Sequence, residues 1–302
     1  MRSGERPALR LVTEPTTSPV APVLAAVELL PGRVRAALLD LSGTVLRRSE
    51  AVYDPAAPDR AALEAALAEV ARMCRDAAPI GVGVAAVGLV DAEAGVVLEV
   101  NEVPALRGYR LADALALLVG APVYVEHRAR LQVLGDRWFG PGQGRSTFAS
   151  VSTGEVLGVG ILHEGRVLAP PGGRSGAHMK VTVGGEVCTC GARGCWKTIA
   201  TTSWLRAEVR RRGLAEVDAD LLDDYAGNIA LGLVNIQQLF APGLFVLHGE
   251  AAQSGERFRA RIEERLRADS PTGAEPPRVL VSENAVDDIA LLGGAGLVLS
   301  HQ

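Results

Sequence analysis

The sequence predicts two mixed α/β units lying side by side with a cleft between them. Three observations lead there. The chain has 302 residues, which is long for one compact unit and suits two, each with its own core. Its first part runs as a three-strand meander followed by helix, strand, helix and strand. From residue 147 a second meander opens and a similar order begins again.

Each element follows from local pattern. Apolar, β-branched runs at 23–30, 34–40 and 45–48 are separated by the turn signals Pro31-Gly32 and Ser42-Gly43. Leu63, Leu67, Val70 and Cys74 then recur at helical spacing, so a helix is expected over 60–76 with Asp59 as its N-cap. Cys74 is thereby a core residue. Strands follow at 80–87 and 96–100, a helix at 111–119 and a strand at 123–126. In the second part, strands are expected at 147–153, 157–162 and 166–168, with Glu164-Gly165 as a turn. Helices at 203–212 and 221–240, a strand at 244–247, a helix at 256–267, a strand at 278–281 and a helix at 286–297 complete it. Residues 1–20, polar and rich in Pro and Thr, read as a flexible arm; 21–121 form the first lobe and 122–302 the second, the last helix packing back on the first.

Composition narrows the function classes. Apolar residues make up 48% and charged residues 22%, the balance of an ordinary globular protein. The net charge of −4 gives no general case for nucleic-acid binding. Arginine runs at Arg210–Arg212 and Arg257–Arg267 read as a helix C-terminus and a solvated helix face. No apolar run reaches the ~18 residues of a membrane span, and the N-terminus lacks the apolar core of a signal peptide. A cytoplasmic protein with reduced thiols is therefore expected.

The strongest local signal is HMKVTVGGEVCTCGARGCW, which holds His178, Cys188, Cys190 and Cys195. Three thiols and one imidazole suit tetrahedral Zn2+. Gly184, Gly185, Gly191 and Gly194 let the backbone fold tightly enough to bring them together. Four protein ligands leave the ion no open position, so the expected zinc is structural rather than catalytic.

This segment resembles the zinc signature of the ROK family, which holds repressors, sugar kinases and uncharacterised frames. LLDLSGTVLRRSE, VGLVD, NEVPALRGY, PVYVE, TGEVLGVGILHEGRVL, APGLFVLHGEAAQSGERF and ALLGGAGLVLS support it in order and spacing, over about residues 22 to 300. The resemblance implies an α/β, two-lobed, actin-like ATPase (ribonuclease H-like) sugar-kinase fold with a structural zinc site. It also implies a homodimer.

The chain departs from the family where a kinase needs its chemistry. The family's Asn-Asp pair after the strand reads His127-Arg128 here, and a guanidinium cannot accept a proton. His127 titrates in the right range but stands at the ligand-binding position. The phosphate turn resembling DxGGT reads ELLPG, with Pro31 removing an N–H donor. The second turn reads GEVLG, where the Glu155 carboxylate would repel a phosphate. The glycine pair near the adenosine is reduced to Gly249, after His248. Ser175 and Lys197 replace two family glutamates.

These departures predict a non-catalytic, transcriptional-regulator-like protein with no ATP, sensing a small ligand or acting through a partner. Two alternatives stand beside it. One is an ATP-dependent carbohydrate kinase with a displaced base; the other is a dimerisation partner of a full-length regulator. The expected ligand is a sugar or sugar phosphate, with Asn101, Gly108, His127, Arg128, Ser175 and Lys197 lining its site. Arg128, Arg130, Arg174 and Lys197 would make that cleft basic, either for an anionic ligand or as an abandoned site closed by internal salt bridges. About twenty residues precede the first strand, too few for the winged helix-turn-helix of the family's regulators, so direct DNA binding by this chain alone is not expected.

Overall fold

The computed structural model describes residues 21–100, 102–170, 175–270, 273, 275–282 and 288–302. The chain begins with β1 (Leu24–Leu30), β2 (Arg33–Leu39) and β3 (Val45–Val52). The two-residue Pro31-Gly32 turn fixes the first hairpin, with Leu30 opposite Arg33 and Glu28 opposite Arg35. Helix α1 (Ala61–Ala77) follows, with Asp59 Oδ1 accepting the Ala61 N–H at 3.1 Å. It buries Leu63, Leu67, Val70 and Cys74, the predicted stripe. Burial pushes the Cys74 thiol up to about 11, which keeps it inert.

Next come β4 (Val82–Ala86), β5 (Leu89–Asp91), β6 (Val96–Glu99), α2 (Leu111–Val119), β7 (Val123–His127) and α3 (Arg128–Phe139). β5 is a short strand with no run of its own in the sequence; it forms a separate two-stranded hairpin with β6. The first large sheet has the order β3-β2-β1-β4-β7. β7 pairs parallel with β4, so the segment 123–127 completes the first lobe's sheet instead of opening the second unit. Its partner there is the long apolar edge of β4, which is fully buried.

The second part contains β8 (Phe148–Ser152), β9 (Gly158–His163), β10 (Arg166–Val167), α4 (Thr202–Arg212), α5 (Ala219–Phe240), β11 (Leu244–His248), α6 (Glu256–Ala268), β12 (Arg278–Val281) and α7 (Ile289–Leu299). Its sheet runs β10-β9-β8-β11-β12. Each large sheet thus joins an antiparallel meander to parallel strands, as the repeated order predicted. The apolar surface of α5 is spent inside: Tyr225, Ile229 and Leu233 are buried, and Gly232 lies against the Trp196 ring. The helix expected over 286–297 is α7; Val286 itself lies outside the described residues. Among the described residues no helix is long and apolar enough to cross a membrane.

Two helices cross between the lobes. α3 packs along α7, and α7 lies over β1 and β4. Glycines permit this approach. A Cβ on Gly83 of β4 would overlap the Gly294 carbonyl of α7, and one on Gly293 would overlap the Leu131 carbonyl of α3. Leu131, Leu134, Phe148, Val246, Ala290 and Leu297 form the core that joins both sheets through these helices.

Gly83→Ala is therefore expected to cost about 3 kcal/mol or more through overpacking against backbone. Gly227→Ala, in the interior of α5 with open space around the added methyl, is expected to gain about 0.5–1 kcal/mol. Urea unfolding of the two variants beside the parent checks both signs.

Candidate functional site

The site begins where β7 ends. His127 is both the last residue of β7 and the N-cap of α3; its Nδ1 accepts the Ala129 N–H at 3.2 Å. With Nδ1 accepting, the single proton of the neutral ring resides on Nε2, leaving a donor for a ligand oxygen. Burial, and then the Arg130 and Arg128 guanidiniums, lower its pKa to about 4. His127 is thus neutral at pH 7.

Arg128 takes the first position of α3. Its Nε donates to Glu28 Oε1 at 2.6 Å. Arg35, opposite Glu28 across the β1–β2 hairpin, donates from Nε to Oε2 at 2.9 Å. The Glu28 side chain is wholly buried, so its charge has little water and depends on these two cations. Two residues beyond Arg128, Arg130 Nη1 donates at 3.2 Å to Glu126 Oε1, which also accepts the His127 N–H at 2.6 Å. Three guanidiniums and two carboxylates therefore share the head of α3, in two ion-paired groups.

Ser175 also reaches this end. A Cβ on Gly158 would lie 2.7 Å from Ala129 Cβ and 3.6 Å from Ser175 Oγ, so β9, Ser175 and the head of α3 meet there. Lys197 follows the cysteine-rich loop, its Nζ 3.4 Å from Thr189 Oγ1 and its N–H donating to the Ala177 carbonyl, two residues from Ser175. Gly108, in the connection from β6 to α2, has a φ of +64° and donates its N–H to the Leu98 carbonyl. Asn101 and Arg174 lie outside the described residues. The cations expected to line one basic cleft are accordingly divided: Arg128 and Arg130 are paired with acids, and the Lys197 ammonium reaches the loop.

At the second turn, Glu155 forms an ion pair with Arg206 of α4, so the carboxylate expected to repel a phosphate is neutralised from the side. The Gly154 carbonyl accepts the Thr202 N–H at 3.0 Å, which ties this turn to the start of α4.

A buried network below the site was not visible in the sequence. Asp136 of α3 accepts from His248 Nε2 at 2.7 Å and from the Ser150 hydroxyl. Gln132 donates to the Ser150 carbonyl at 2.9 Å and accepts from Ser152 Oγ at 2.6 Å. These bonds pin α3 to β8 and β11. His248 stands where the family resemblance led us to expect a glycine, and its ring is turned into this network. No spacing rule joins residues 112 positions apart.

His178, Cys188, Cys190 and Cys195 converge as expected, with their donor atoms all within 4.8 Å of one another. Cys188 Sγ lies 3.4 Å from His178 Nδ1, and Cys190 Sγ lies 3.7 Å from Cys195 Sγ. A tetrahedron of ligands about 2.3 Å from a central ion has edges of roughly 3.8 Å, so the donors fit one metal ion. Gly194 has a φ of +69° and packs its Cα side on the Thr182 carbonyl, which no side chain would permit. Lys180 Nζ lies 3.0 Å from Cys195 Sγ, a cation that offsets thiolate charge.

Two lobes with repeated sheets, crossed by α3 and α7 and carrying a four-donor loop, define the actin-like sugar-kinase fold. The chain belongs to the ROK family, whose model matches residues 25–301. It is 30% identical over 190 residues to a glucokinase of Thermotoga maritima, covering 61% of this chain and 55% of that protein. It is 23% identical over 242 residues to the xylose repressor of Bacillus subtilis, covering 74% of this chain and 62% of the repressor. The chain thus spans little more than half the length of these curated relatives. Among solved structures, a ROK family glucokinase from Streptomyces griseus in complex with glucose and AMPPNP superposes with a TM-score of 0.75 at 24% identity, covering 92% and 99% of the two chains. A ROK family transcriptional regulator, a homolog of the E. coli MLC protein, gives 0.80 at 22% identity, covering 93% of this chain and 78% of that one.

The expectation of a protein without enzymatic activity is corrected by these likenesses. Glucokinases and a hexokinase stand among the relatives in sequence and fold, beside the repressors. Arg128 and the altered phosphate turns, ELLPG and GEVLG, do not by themselves make the chain a non-enzyme. Phosphoryl transfer is mostly positioning and charge stabilisation, and the base is a smaller part of it.

The lowered pKa of His127 has a consequence for stability. An unfolded histidine binds a proton near pH 6.5, whereas this one holds off until about pH 4. The unfolded state takes up the proton first, so stability is full above pH 6.5 and falls as pH drops toward 4. The loss attributable to His127 is about 3 kcal/mol. His127→Asn keeps a capping oxygen and removes the titration. Denaturation midpoints at pH 7 and pH 4.5 should therefore lie closer together in this variant than in the parent.

Proposed function

We propose that the protein binds a sugar at the head of α3 and phosphorylates it from ATP, with the base displaced from position 128 to Glu28. The observation that carries this reading is the Glu28 carboxylate, which touches the side chain at position 128 on a scaffold shared with sugar kinases. A sugar hydroxyl that takes the place of the Arg128 Nε–H on Oε1 can pass its proton to that oxygen. The hydroxyl oxygen then forms its bond to the γ-phosphorus as the bond to ADP breaks. Arg35 keeps Oε2 occupied and holds the carboxylate in place. Arg128, displaced by the sugar, remains a cation beside the transferring phosphoryl group. The Nε2–H of His127 and the hydroxyl of Ser175 hold the sugar.

An ATP-consumption assay with glucose, N-acetylglucosamine and xylose tests this. Turnover is expected with at least one sugar, and Glu28→Gln should lower it about 10²- to 10⁴-fold. Turnover with no sugar would sink the kinase reading, and an unaffected Glu28→Gln would sink the base assignment.

A second reading is a sugar-responsive regulator body. It is favoured by the ion pairs that close the head of α3, and by the likeness to xylose repressors. The two readings share the sugar and differ in the nucleotide. A sugar isotherm that ATP–magnesium does not alter would favour the regulator.

The cysteine-rich loop is proposed to hold a structural Zn2+ on His178, Cys188, Cys190 and Cys195. The donor set and its spacing support this, and four protein ligands leave no position for substrate. Removal of the metal by chelation, or Cys190→Ser, should lower Tm by about 10 °C, equivalent to roughly 3–5 kcal/mol. Metal analysis should fall from one zinc per chain in parallel. An unchanged Tm after complete metal loss would overturn the structural role.

A further inference from the structure

A cavity of about 610 Å³ lies away from the head of α3, at the opposite end of the crossing helices. That volume is in the range of small-molecule sites. Its walls come from both lobes. β7 and the β5–β6 turn supply one side, β10 and the turn before it supply the other, and the ends of α3 and α7 lie between.

Its lining is aromatic in the middle and cationic on one side. Tyr124 of β7 and His301, just past α7, stack with ring centroids 4.0 Å apart and planes at 17°. His301 Nδ1 donates to the Leu297 carbonyl at 2.9 Å, so its orientation is fixed. Trp138 near the end of α3 is 36% exposed, although its Nε1 is held by Ser300 Oγ at 3.1 Å. An exposed indole locked in place by a hydrogen bond is a rigid platform rather than a loose surface group. The Arg137 guanidinium lies 5.8 Å from the Trp138 ring and donates to the Gly165 carbonyl, with further N–H groups to spare. Arg166 stands on the same side, on β10. The acids on the first lobe's side compete little. Glu126 is engaged by the His127 N–H and Arg130, and Glu93 is exposed at the rim.

We propose that this cavity is a second ligand site, for a small planar aromatic anion of the aromatic carboxylate class. The ring lies among Tyr124, Trp138 and His301, and the carboxylate faces Arg137 and Arg166 through charge-assisted hydrogen bonds. The site touches both lobes and the ends of the helices that join them, so its occupant bridges the two lobes. The inference is independent of the sugar reading: its aromatic and cationic residues are not those of the sugar site, and it is read by binding, not by phosphorylation.

The three tryptophans supply the test. Trp196 donates to the Asn228 carbonyl in the second core and Trp204 stacks on Tyr225, so neither lines the cavity. The full chain, labelled with nitrogen-15, is titrated with 2-naphthoate and its indole N–H signals are followed, that of Trp138 assigned by Trp138→Phe. The expected result is a saturable shift of the Trp138 signal with the other two still. Arg166→Gln should weaken binding about tenfold, as should replacing the acid by neutral 2-naphthylmethanol. Val167→Trp, which narrows the cavity and adds a fourth indole signal, should reduce the shift at Trp138. The exposed Arg166→Gln change keeps the test valid where the larger one disturbs folding. No saturable shift, equal movement of all three signals, or equal affinity for the neutral alcohol would overturn the proposal.

Discussion

The closeness of α3 to α7 is the constraint on which this molecule is built. The helices approach until a single methyl group would collide with backbone at Gly293, and α7 approaches β4 in the same way at Gly83 and Gly294. Everything of chemical interest hangs from that crossing. The head of α3 carries His127, Arg128 and Arg130, its middle carries Gln132 and Asp136, and its end carries Arg137 and Trp138. A helix held this firmly cannot adjust to a ligand alone.

The second theme is compensation of buried charge. Glu28 has no access to water and is met from two directions, by Arg35 across the hairpin and by Arg128 from the helix. Glu126 and Arg130 form a second buried ion pair beside it. Among the described residues, Arg128 and Arg130 at the head of α3 are paired with Glu28 and Glu126. They form an ordered polar cluster. Such a cluster is compatible with phosphotransfer only where the substrate can replace one partner of Glu28, and with sensing where a ligand shifts the balance among the pairs.

Much of this was legible in the sequence, and the unread part has physical reasons. The meanders, the α1 stripe and the cysteine-rich loop are set by local rules: turn residues, helical spacing and ligand chemistry. The pairing of Glu28 with Arg35 was also readable in principle. A two-residue turn at Pro31-Gly32 makes opposite residues sum to 63, and both strands are otherwise largely apolar. The place of β7 in the first sheet was not readable, since a parallel partner is chosen by tertiary packing and not by the strand itself. Nor was the Asp136–His248 contact, because the residues meet only when α3 is laid across β8 and β11. Which acid stands beside Arg128 and Arg130 was also hidden, since sequence counts charges and does not place them; their ion pairs accord with the salt-bridged alternative. The judgement on activity failed for a related reason: it compared Arg128 and the two phosphate turns with family motifs position by position, while the chemistry is spread over a whole scaffold.

The Glu28–Arg128 pair also orders the paths by which this site can change over generations. A carboxylate introduced at position 128 while Glu28 stays would face another carboxylate in a place without water, where two negative charges resist each other strongly. Removing the charge at position 28 first would take one buried acceptor from both Arg35 and Arg128. Neither single step is comfortable, so each residue holds the other in place across mutational time. Drift between a kinase-like and a sensor-like site then requires paired changes or a detour through an uncharged intermediate. Sites 28 and 128, one hundred residues apart in the chain, should accordingly vary together among close relatives.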